Sequence, residues 1–133
     1  MGFRRRWPGV SYGRGEDWHY VGDTGEPAFE NSWANYSGLT SAAFRIREAG
    51  IVDIHFVIAG GSANGIFTLP EGYRPSAATF VGTGIGFTSS PVARSPFGIV
   101  VDTDGSVEFG TYPTSDVYFF AGQMFLDPPD VAP

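Results

Sequence analysis

In Gly65-Ile66-Phe67-Thr68-Leu69-Pro70-Glu71-Gly72-Tyr73-Arg74-Pro75 an apolar, strand-like run stops at one proline and a bend closes at another. Ile66, Phe67 and Leu69 are β-favouring or bulky apolar residues, whereas Pro70 has no N–H to give to a sheet ladder. Gly72 tolerates the positive φ that a tight bend asks for, and Pro75 biases Arg74 toward extended backbone, so the next strand starts in a set direction. The pattern predicts a hinge between the strands of a β-sandwich.

The flanking sequence continues the β pattern. Upstream, Trp33 to Tyr36 reads as a short strand, and Ala43-Phe44-Arg45-Ile46-Arg47 alternates apolar and charged residues. After a turn at Glu48-Ala49-Gly50, Ile51 to Ala59 forms the longest strand candidate, with Val52, Ile54, Phe56 and Ile58 on its core face. Gly60 to Gly65 reads as a loop. Downstream, Ala77 to Phe87 is apolar but interrupted by Gly82, Gly84 and Gly86, which implies a bulge or a close backbone approach. Ser89 to Pro96 has the composition of a surface loop. Thr103-Asp104-Gly105 between two apolar runs predicts a hairpin, and Val117 to Leu126 forms a final strand broken or bulged at Gly122. Some eight strands with turn signals at intervals of about 8 to 12 residues argue an all-β sandwich or jelly roll.

Composition narrows the function classes. A chain of 133 residues holds one sizeable core but hardly two. The 19 Gly and 10 Pro lack a three-residue period, so they mark turns and not collagen. No cysteine is present, which removes thiolate metal sites, disulfides and a cysteine nucleophile. All eight basic residues are arginine, and the net charge is −6. The only basic run is Arg4-Arg5-Arg6, so nucleic acid is not the expected partner. No run approaches the roughly 18 apolar residues of a membrane span, and no apolar segment follows the N-terminal arginines. The expectation is a soluble protein without membrane insertion or ordinary secretion.

Residues 1–27 lack sustained alternation and read as an extended arm; residues 28–127 read as the sandwich domain and 128–133 as a short tail. Within the arm, Arg4, Arg5, Arg6, Trp7 and Trp18 form a basic and aromatic set suited to anchoring on an acidic neighbour. Such large aromatics pack on something, either a partner subunit or the chain's own domain.

The chemical constellations have plain structural readings. Asp102-Thr103-Asp104-Gly105 begins like a calcium loop but lacks the distal carboxylate, and turn chemistry explains it with fewer assumptions. His19 and His55 have no second imidazole at metal-ligand spacing, and His55 beside Asp53 fits an outward strand face. No Gly-x-Ser-x-Gly elbow occurs, and no helix follows Gly82-Thr83-Gly84-Ile85-Gly86 to bind phosphate. No cofactor or metal is expected, and the chain reads as non-enzymatic. Tyr73, Arg74, Tyr112 and Tyr118 are the candidate ligand-contact residues, because aromatic rings with polar tips stack on sugars or anchor interfaces. The same residues also suit ordinary inter-strand packing, since sheets enrich tyrosine.

The succession Glu26 to Tyr36, Ala43 to Arg47, Gly50-Ile51-Val52 and Ile66 to Pro75, with "FTLP-x-GYRP" as its most specific phrase, resembles the small β-sandwich heads of bacteriophage tail proteins. Minor tail proteins of phages that infect actinobacteria are the nearest resemblance. It extends through Val101 to Val107 and Tyr118 to Phe125, covering about residues 26–127. The resemblance implies a virion protein, a homotrimer whose arm contacts other virion proteins and whose loops meet a host-surface saccharide or polymer during adsorption. A capsid decoration or head-fibre protein anchored by its arm is the alternative within the virion. Outside it, the alternative is a carbohydrate-active enzyme or free lectin.

Overall fold

A computed structural model describes residues 16–89, 92–110 and 115–126. These residues form β1 (His19–Tyr20), β2 (Ala34–Asn35), β3 (Ala43–Arg47), β4 (Ile51–Ala59), β5 (Gly65–Thr68), β6 (Thr79–Ser89), β7 (Val92–Val101), β8 (Ser106–Phe109) and β9 (Val117–Phe125). A 3-10 turn at Glu48–Gly50 joins β3 to β4. All the pairings are antiparallel, in the order β1-β3-β4-β9-β6-β7-β8-β5, with β2 laid beside the end of β4. The sheet curls into a half-barrel, so the domain is all-β and sandwich-like.

The centre of the sheet is β4 paired with β9 along its whole length, from Ile51 opposite Phe125 to Ala59 opposite Val117. Period-2 alternation sends Val52, Ile54, Phe56 and Ile58 inward, and all four are buried. Phe56 stacks on Phe120 with ring centroids 5.1 Å apart. Burial of each such aromatic contributes about 1.5–3 kcal/mol. The curl brings β3 toward β5, so Phe44 and Phe67 stack at 6.0 Å although their strands lie near opposite ends of the hydrogen-bonded path.

The Gly65–Pro75 run behaves as its composition predicts. β5 stops at Thr68, Leu69 is fully buried, and Tyr73 N–H closes the bend on the Pro70 carbonyl at 3.1 Å. Gly72 takes φ +93°. The Asp102–Ser106 hairpin also forms, with Gly105 N–H donating to the Asp102 carbonyl at 2.9 Å.

Four expectations are corrected. Residues 16–27 belong to the domain and not to an arm: β1 pairs with β3, Val21 is buried, and its N–H donates to the Ala42 carbonyl at 3.0 Å. The strand expected over Trp33 to Tyr36 is only Ala34–Asn35, because Trp33 turns its ring into the core. Val92 to Pro96, read as loop, extends β7, with Pro96 opposite Ile85. Among the described residues β8 covers only Ile99–Val101 of β7, so a residue without N–H is tolerated on the open side. Finally, β9 passes Gly122 without a register shift. The bulge lies in β6 instead, between Phe80 and Gly82. At Gly84 a Cβ would meet the Phe119 carbonyl at 2.3 Å, the close approach that the β6 glycines allow.

Candidate functional site

Two regions gather the features from which function is built: a polar cluster where the sheet's ends meet, and the outward face of β4, β9, β6 and β7.

The cluster joins the N-terminal side of the domain to the bend after β5. Tyr73 Oη donates to Glu16 Oε1 at 2.9 Å and lies 3.0 Å from His19 Nε2. His19 Nδ1 lies 2.8 Å from Glu26 Oε2, and the imidazole stacks on Phe44 at 5.2 Å. Glu16 Oε2 accepts from Ile46 N–H at 2.8 Å. These contacts set the protonation behaviour. The hydrogen bond to Glu26, supported by Glu16, raises His19 above the ordinary imidazole value against a burial that lowers it. Burial pushes Glu16 up, but its bonds from Ile46 N–H, Tyr73 and His19 outweigh that and hold it low. Burial, then the Glu16 contact, pushes Tyr73 up to about 12.

The outward face is different in character. Val57 lies opposite Phe119, Phe119 opposite Ile85, and Ile85 opposite Pro96, a cross-strand apolar row spanning four strands. Phe119, Ile85, Phe80 and Phe125 are exposed, Phe80 by 63%. A shallow open groove of about 500 Å³ runs beside the row, lined by Thr40, His55, Thr83, Ile85, Phe119 and Ala121 among others. His55 is half-buried, and its Nδ1 is buried with no hydrogen-bond partner. Burial lowers its pKa. Toward β3 the face becomes polar: Asp53 pairs with Arg45 at 3.4 Å and with Arg47 at 3.0 Å, and Arg47 also donates to Gln123.

Among the described residues, the predicted contact residues do not converge. Tyr118 is 2% exposed and its hydroxyl accepts from Ser115 N–H at 2.9 Å, so its ring presents no face to a ligand. The phase of β9 against β4 puts it inside. Arg74 turns inward and donates from Nε to the Leu69 carbonyl at 2.8 Å. Tyr73 spends its hydroxyl on the cluster. Trp18, expected in the virion anchor, instead packs on the domain, with His55 at 4.5 Å and the Arg45 guanidinium at 4.4 Å from its ring centroid. Tyr112, Arg4, Arg5, Arg6 and Trp7 lie outside the described residues.

Sequence reasoning missed Glu16 and His19 as partners of Tyr73, and Glu26 as the partner of His19. The three-residue step from Glu16 to His19 is a weak signal, and nothing local points to a tyrosine beyond β5. Among the described residues no group of three or more His, Asp or Glu side chains is arranged to hold a metal, and no helix is long and apolar enough to cross a membrane. Comparison of the chain with protein-family models, with curated proteins and with solved structures finds no match.

Proposed function

We propose that this chain is a non-enzymatic structural subunit of a bacteriophage virion, a β-domain that assembles with copies of itself through the outward face of β4, β9, β6 and β7. The observation that carries the reading is the cross-strand apolar row in which Phe119, Ile85 and Pro96 are exposed beside the buried Val57, with exposed Phe80 and Phe125 farther along the same face. Exposed apolar side chains gathered on one sheet face mark interaction sites, and charge-poor centres rimmed by polar groups are typical of interfaces.

Charge favours a second copy as the occupant. The chain carries −6 overall, so copies repel one another through most surfaces. On the outward positions of these four strands the one carboxylate, Asp53, is neutralised by Arg45 and Arg47. A face free of unpaired negative charge is where like-charged copies meet at least cost. A standard interface takes about 800 Å² from each partner, roughly a tenth of the chain's 7452 Å² surface.

The resemblance supplies the virion setting and a stoichiometry of three. Of the residues put forward for saccharide contact, Tyr118 is buried and Tyr73 and Arg74 make internal hydrogen bonds, while Tyr112 lies outside the described residues.

Light scattering tests the proposal. The expected mass is that of three chains at micromolar concentration, and Phe119→Asp combined with Ile85→Asp reduces it to one chain while the far-ultraviolet spectrum is kept. A wild-type chain that is strictly monomeric would sink the self-assembly. Electron microscopy of labelled particles then separates label at the tail from label across the capsid. Absence of the label from particles overturns the virion assignment.

A further inference from the structure

The ends of the sheet, β1 and β5, are not joined by a backbone ladder; side chains join them. Tyr73, just beyond β5, reaches Glu16 and His19 on either side of Trp18 at the start of β1. We propose that Glu16, His19, Glu26 and Tyr73 form a proton-dependent clasp between the two ends of the open sheet, tight when both ring nitrogens of His19 carry protons and slackened when one is lost.

A carboxylate only accepts, so Tyr73 must donate its single proton to Glu16 Oε1 at 2.9 Å. The 3.0 Å contact between Tyr73 Oη and His19 Nε2 then requires Nε2 to be the donor. Glu26 Oε2 also only accepts, so His19 Nδ1, 2.8 Å away, must donate as well. The geometry therefore describes an imidazolium held between two carboxylates, with Glu16 Oε2 a further 3.4 Å from Nε2.

When the Nε2 proton leaves, its lone pair faces the Tyr73 oxygen. Tyr73 must then abandon Glu16 to donate to the ring, or leave Nε2 without a partner. Either way one link between the sheet's ends is lost. Among the described residues, the groups that face His19 come from three places. Its own segment supplies Glu16 and Glu26, the bend supplies Tyr73, and β3 supplies the uncharged Phe44 ring and the Ile46 N–H that holds Glu16.

The direction of the titrations agrees. His19 is raised, so its contribution is complete below the ordinary imidazole value and is lost as pH rises through its folded value. Glu16 is lowered, so its contribution is present above the ordinary carboxylate value and is lost only as pH falls through its folded value. The clasp thus holds through mildly acidic conditions and loosens on the alkaline side by way of His19. Release removes the tie to the bend, so residues 16–26 open more readily from the edge of β3, where Val21 N–H is bonded to Ala42 and β1 pairs with Phe44 and Ala43.

The test follows amide hydrogen exchange at Val21 and Ile46 in the full chain from about pH 5.5 to about pH 8.5, corrected for base catalysis, with the His19 ring protons titrated by NMR in the same samples. Protection at both amides should fall on the order of tenfold with the midpoint of the His19 titration, while the central Ile54 amide keeps its protection. In His19→Gln the step should vanish; in Glu26→Gln, which keeps the ring, the midpoint should move down. Protection that stays flat while His19 titrates, or a step that survives in His19→Gln, overturns the clasp. Both readouts concern one chain, so they stand or fall separately from self-assembly.

Discussion

The Trp33 ring stands where a side chain on Gly61 would be: a Cβ there would lie 1.9 Å from Cε2 of the indole. Trp33 is buried, donates from Nε1 to the Ala63 carbonyl at 2.9 Å, and packs at 5.3 Å from Phe109 and 5.4 Å from Tyr118. The glycine-rich loop after β4 is therefore a seat for the tryptophan. Gly61→Ala should displace the ring and lower stability by about 2–3 kcal/mol, the usual cost of overpacking a filled core. A urea midpoint equal to wild type would show that the loop moves aside freely.

A second prediction concerns the bend and the hairpin that seats it. Leu69 N–H donates to the Gly105 carbonyl at 2.8 Å, while Arg74 Nε donates to the Leu69 carbonyl. Gly105 has φ +91°, and a Cβ there would meet the Leu69 carbonyl at 2.4 Å. Gly105→Ala should cost about 2 kcal/mol or more through strain and contact together. Arg74→Met keeps the apolar stem and removes one hydrogen bond, at about 1 kcal/mol. Thermal melts should rank the two in that order; a silent Arg74→Met would return the arginine to the candidates for external contact.

The two histidines should act on stability with opposite sign. His55 is lowered, chiefly by burial with a smaller push from Arg45, against the His55 and Ser41 backbone and Asp53, which work the other way. It is kept neutral in the folded chain, so its contribution is full above the ordinary imidazole value and is lost as pH falls through its folded value. His55→Gln should flatten the acid limb of a profile of urea midpoint against pH, and His19→Gln the alkaline limb. An unchanged acid limb in His55→Gln would mean that Nδ1 finds water at no cost.

Local backbone chemistry made much of the fold legible. The alternation of β4, the Asp102–Gly105 turn and the positive φ of Gly72 all follow from neighbours within a few residues. What was hidden depends on partners far along the chain. In Val117-Tyr118-Phe119-Phe120-Ala121 hydrophobicity carries no phase, and only the pairing of Phe120 with Phe56 turns Tyr118 inward and Phe119 outward. The same holds for the polar cluster, where Tyr73 meets residues on the far end of the hydrogen-bonded path. Residues 16–27 misled because a two-residue strand has no periodicity to read; side chains, and little ladder, hold it in place.

The pairing of β4 with β9 also has a consequence in time. Ile51 waits for Phe125, and Ala59 for Val117, before the central ladder can close. A ribosome that has released β4 has not yet released its neighbour, so β4, with its uniformly apolar inner face, stays half-paired until β9 emerges. Distant pairings of this kind slow folding into the millisecond-to-second range and prolong exposure of sticky edges. The β6–β7 pairing, from Thr79 opposite Val101 to Ser89 opposite Val92, is by contrast local in sequence.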